Sequence, residues 1–159
     1  MENVKVKVIV ATSALMSWLG ILAIPVLLLV GCNIVDYMTG ICAAAYREEP
    51  VSSYKGIRGI YKKIGMWLLV LVGAWVDILI NYGIECAGFD FSLPFIVAIV
   101  VAVWLVVNEI ISILENLQDI GVYIPPFLLP LMKNIKKKVE DKAQVLENEE
   151  DDEYESEGN

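Results

Sequence analysis

From Val8 to Tyr46 the chain runs 39 residues whose only charge is Asp36. As one straight α-helix this stretch would be about 58 Å long, roughly twice the thickness of a hydrocarbon core. It must bend or turn back. Two further apolar stretches, 64–82 and 91–114, each have the ~20-residue length that crosses a bilayer. A chain of 159 residues, 57% hydrophobic, has far too little interior to hide so much apolar surface in one soluble core. The fold class that follows is an all-α integral membrane protein.

The break in the first stretch is expected between Gly20 and Pro25, where proline removes a backbone donor and glycine loosens the chain beside it. A hairpin there gives four transmembrane helices, the first over about 4–22 and the second over about 25–46. The alternative is a proline kink in one long tilted helix, which gives three crossings. Lysine and arginine placement favours four. Lys5 and Lys7 precede the first segment; Arg47, Lys55, Arg58, Lys62 and Lys63 fill the loop before the third; Lys133, Lys136, Lys137, Lys138 and Lys142 follow the last. The loop between Tyr82 and Phe91 carries only Glu85 and Asp90. The positive-inside rule places the basic segments and both termini in the cytoplasm and the acidic loop outside, where three crossings would export Lys5 and Lys7. The same cations are expected to meet anionic lipid headgroups. The opening apolar run is too long for a signal peptide and leads into more membrane sequence.

Three regions result: a transmembrane helical domain over 1–120, a cytoplasmic amphipathic or membrane-surface helix over 121–146, and a tail over 147–159. In the second region Leu128, Leu131, Met132, Ile135 and Val139 share one helical face and the lysines mostly the other, the pattern of a helix lying on the inner surface. Eight of the twenty acids fall between Glu147 and Glu157, so the net charge of −8 belongs to a tail expected to be disordered. That balance argues against nucleic-acid binding. Histidine is absent, and Cys32, Cys42 and Cys86 form no CxxC pair and read as small apolar residues. No catalytic constellation, metal site or cofactor motif is present; Gly56–Ile57–Arg58–Gly59 lacks the phosphate-loop spacing. An enzyme is the weakest functional class.

Charged residues inside apolar segments must face helices, water or an interface. Asp36 stands near mid-bilayer, with Glu109, Asp77 and Glu115 within or near the ends of the other segments. Asp36, Gly40, Ala43 and Ala44 share a helical face with Thr39 beside them, a combination of small and polar residues suited to close helix association. Asn108, Ser112, Glu115 and Asp119 form a polar stripe down the last crossing, able to line water between subunits or to join helices within one bundle. Asp36, Thr39, Gly40, Asn108, Glu109, Ser112 and Glu115 are therefore the candidate oligomerisation or pore-facing residues.

The order of these motifs resembles a known family. Asp36–Tyr37–Met38–Thr39–Gly40, Ala43–Ala44–Ala45, Ser52–Ser53–Tyr54–Lys55–Gly56, Lys62–Lys63–Ile64–Gly65, Asn108–Glu109–Ile110–Ile111–Ser112–Ile113–Leu114–Glu115–Asn116 and Gly121–Val122–Tyr123–Ile124–Pro125 are similar to bacteriophage holins of the clostridial toxin-secretion and phage-lysis type, from about Leu27 to Leu131. The resemblance implies a small inner-membrane protein that accumulates harmlessly, forms homo-oligomers at a set time, and opens lesions for an endolysin or a large toxin. It implies no cofactor. The acidic run 147–157 departs from the family's basic carboxy terminus. The competing readings are a non-lytic oligomeric channel or small-solute transporter, and a membrane adaptor.

Overall fold

The computed structural model describes residues 2–47 and 53–156, which form helices and connecting turns with no strand among them. The elements are α1 (Glu2–Leu19), a 3₁₀ turn (Gly20–Leu22), α2 (Ala23–Tyr46), α3 (Ser53–Cys86), α4 (Ile96–Asp119) and α5 (Leu128–Ser156). The break in the first apolar stretch falls where expected. Gly20 takes φ +52, a left-handed conformation open to glycine. Pro25 is the third residue of α2, in the first turn, whose N–H groups have no acceptor within the helix.

The break does not make a packed hairpin. Among the described residues α1 makes few contacts, with the 3₁₀ turn and α2, and its described side chains stand free, Val4 65% and Ile9 63% exposed. Among the described residues three helices are long and apolar enough to cross a membrane: 20–46, 56–86 and 96–119. The expected count of four is corrected to three. Glu2, Lys5 and Lys7 crowd the first two turns of α1 and interrupt the apolar window it would need.

α4 is the hub, with α2, α3 and α5 each packed on it while the backbones of α2 and α3 stay apart and meet through side chains. Leu29 from α2, Met66 and Val70 from α3, and Ala102, Leu105 and Val106 from α4 form the core. α3 approaches α4 closely at Gly73, where a Cβ would stand 3.0 Å from the Ala98 Cα. At the far end of α4, Gly121 at φ +90 closes a Schellman turn, its N–H donating to the Gln118 carbonyl at 2.9 Å while Val122 N–H reaches Leu117 at 3.0 Å. The chain then reverses, and α5 returns antiparallel along α4. α5 continues to Ser156, through the segment expected to be disordered. Glutamate is a good helix former, and extending an existing helix avoids the cost of nucleation.

Candidate functional site

The bundle buries a few charged and polar side chains within its apolar core and turns large apolar side chains outward. Asp77 is 3% and Glu109 2% exposed, while Leu79 on α3 is 69% exposed. In water this arrangement would lose on both counts, since it exposes hydrocarbon and desolvates charge. In lipid it is the expected one, because polar groups find their partners only on other helices.

Two polar assemblies result. The first joins all three candidate spans near mid-height. Asp36 lies ten residues before Tyr46 on α2, and Glu109 ten before Asp119 on α4, so each is about 15 Å from the basic end of its helix. Lys63, near the start of α3, reaches between them. Its ammonium donates to Asp36 Oδ2 at 2.8 Å, to Glu109 Oε2 in a short contact, and to Asn33 Oδ1 at 3.4 Å. The Lys63 and Asp36 side chains are 15% and 17% exposed. Asn116 continues the network, donating to Asp36 Oδ1 and to Thr39 Oγ1, both at 3.3 Å. The Thr39 hydroxyl turns back to the Val35 and Asp36 carbonyls. Gly40 lies beside this network, where a Cβ would make only ordinary contact with Asn116 Nδ2, at 3.7 Å. Asn33 Nδ2 is buried without an acceptor, beside an apolar crevice of about 410 Å³ between α2 and α3.

The second assembly fixes the acidic end of the bundle. Asp77 on α3 accepts the N–H groups of Val97 at 3.0 Å and Ala98 at 2.8 Å, the second and third residues of α4. Phe95, at the N-cap position, has no acceptor to offer, so a carboxylate from the neighbouring helix caps α4 and meets its positive dipole end. Asn81 pins the preceding loop through both the N–H and the carbonyl of Leu93, at 2.7 and 3.0 Å.

The candidate residues therefore divide. Asp36, Thr39, Gly40 and Glu109 come together, but on the interior of a single chain. Glu115 lies towards α5, pairing with Lys133 at 3.6 Å, and the Asn108 amide turns back along α4 to donate to the Trp104 carbonyl at 3.0 Å. Ser112 is half-buried on the same helix. Of the cations expected at headgroups, Lys63 is turned inward, Arg47 pairs with Asp119, and Lys136 lies over the Trp104 ring. Arg58, Lys62, Lys137 and Lys138 are exposed, and the Lys55 side chain falls outside the described residues. The cysteines are free, and no metal-type cluster occurs among the described residues.

Sequence reasoning missed the bridging role of Lys63, and with it Asn33 and Asn116. The missed signal was electrical: two carboxylates inside apolar helices require a cation, and Lys63 stands at the edge of the next segment.

The sequence matches the bacteriophage holin family over residues 13–137. The chain belongs to that family. Holins are non-enzymatic membrane proteins, in keeping with a site built of ion pairs and helix caps. Among relatives, an uncharacterised protein of Clostridium perfringens is 30% identical, covering 82% of this chain and 89% of its own length. An uncharacterised 14.9 kDa protein from the nagH 3′ region of the same species is 31% identical over 82% of this chain and 91% of its own. An uncharacterised protein of Listeria monocytogenes is 35% identical over 64% of each. No solved structure matches. The spacing that places Asp36, Lys63 and Glu109 at one height lies wholly within the segment matched to the holin family.

Proposed function

We propose that this holin accumulates in a bacterial inner membrane and assembles with copies of itself into lesions that release an endolysin and lyse the host on a set schedule. The observation that carries the reading is the Asp36–Lys63–Glu109 assembly: a holin-family chain holds all three of its apolar spans together by charges buried at mid-height. A monomer so closed can build up in the bilayer without leaking. The same charges, in a rearranged oligomer, supply groups that tolerate water where lipid-facing leucines would not. Ten of the twelve cations follow Tyr46, and the reading puts them in the cytoplasm with the carboxy terminus, the loop 87–95 outside, and α1 at the outer end of α2. The test is induction in a bacterium that carries a cytosolic cell-wall hydrolase. Silent growth followed by abrupt loss of membrane potential and turbidity supports the reading. Continued growth with intact potential refutes it, and a graded, saturable ion or solute flux points to a channel instead.

A further inference from the structure

The antiparallel return of α5 sets up a conflict with the membrane. The Trp104 indole donates to Glu140 at 2.9 Å, and the Lys136 ammonium lies 5.4 Å from the Trp104 ring centre. Trp104 is fifteen residues before Asp119, so these contacts sit about 22 Å along α4 from its basic end, past the mid-plane of a bilayer it spans. Between Lys133 and Lys142 α5 carries seven charges, and Lys133, Lys137, Lys138, Asp141 and Lys142 face outward. Hydrocarbon does not accept such a segment at that depth. α4 in lipid and α5 lying along it are alternatives.

We infer that α5 is a removable cover, and that the α4 stripe beneath it, Trp104–Asn108–Ile111–Glu115, is the seat for the same stripe of a second copy. The inference deepens the proposed function and rests on it for the role of assembly. The stripe's spacing of four, three and four is that of a coiled-coil seam, and α5 meets it with a matching three and four at Lys133, Lys136 and Glu140. A helix therefore already packs there. Copies inserted in one orientation can meet only in parallel, which sets Asn108 against Asn108, a mid-membrane amide pair of the kind that holds apolar helices together. Glu115 would face Glu115. It lies only four residues from the end of α4, about 6 Å, where Lys133 can stay with it at headgroup level and neutralise it while the rest of α5 swings away. Trp104, stripped of Glu140, is left with an indole N–H in lipid, a second reason for the face to find a protein partner.

The test replaces Cys32, Cys42 and Cys86 with serine and places Ile111→Cys or, as a control, Leu79→Cys in the full chain in native membranes. Oxidation should link Ile111→Cys chains into dimers and leave Leu79→Cys chains largely monomeric. Adding Glu140→Ala, which removes the contact with Trp104, should speed that linkage about three- to fivefold, whereas Asp141→Ala, which changes an exposed neighbour, should not. Ile135→Cys, half-buried in the closed form, should react with a membrane-impermeant maleimide in inside-out vesicles. Equal linkage at 111 and 79, no response to Glu140→Ala, or protection of position 135 in the membrane would each overturn the inference. Linkage at 111 without lysis in the hydrolase assay would overturn the lytic reading while leaving the interface standing.

Discussion

At the residue scale the decisive side chain is Lys63, because one ammonium serves two carboxylates in surroundings that solvate neither. Removing the cation strands both, and breaking a buried pair typically costs about 3–5 kcal/mol. Lys63→Met should therefore sharply lower both the amount of protein in membranes and its melting temperature in mild detergent. Adding Glu109→Gln should restore part of the loss, as coupled neighbours do. Strictly additive losses would show that the three groups do not act as a unit. Asp77 makes a narrower claim. Asp77→Ala leaves two N–H groups at the start of α4 without acceptors and should cost about 1–2 kcal/mol, read as a lowered melting temperature. Asp77→Asn, which keeps one good acceptor, should lose less. The pairings behind both predictions join residues 20 to 46 positions apart. Single residues were visible as misfits in apolar sequence, but which misfit answers which depends on how the helices turn, and one chain's periodicity does not carry that.

At the element scale the apolar stretches and the break at Gly20 were legible, because each is set by local chemistry. The small face of Asp36, Gly40 and Ala43 was legible as a packing face, but its partner was not: it lies against α4 of the same chain, with Ala43 wholly buried. The role of α1 was overread, since two lysines were given enough weight to require a crossing that the helix's own composition does not support. α5 shows a related limit. Of the apolar face expected at Leu128, Leu131, Met132, Ile135 and Val139, four are half-buried and Leu131 is exposed, and an amphipathic pattern reads alike whether the face lies on lipid or on another helix. Close packing between α3 and α4 gives an element-scale prediction. Gly73→Val would drive side-chain atoms into the Ala98 backbone, and overpacking of this kind costs about 1–3 kcal/mol. Melting in detergent should fall accordingly, whereas Gly65→Ala, at a site with open space, should leave it nearly unchanged.

For the whole molecule the organising fact is that charged side chains are buried in a bundle whose exterior is apolar, with most of the positive charge towards one end of the spans. The acidic tail modifies this arrangement. Residues 147–157 carry eight negative charges close in sequence to the lysines of α5. Repulsion between tails on neighbouring copies opposes assembly, so removing residues 147–159 should bring lysis earlier and make its timing less sensitive to ionic strength. A later or unchanged onset would contradict that role. The central claim, that this chain is a lesion-forming holin, is tested most directly by membrane potential and culture density followed together after induction beside a cytosolic cell-wall hydrolase. The account predicts a silent interval and then simultaneous collapse of both, dependent on this protein. Steady growth with an intact potential, at protein levels confirmed in the membrane, would contradict it.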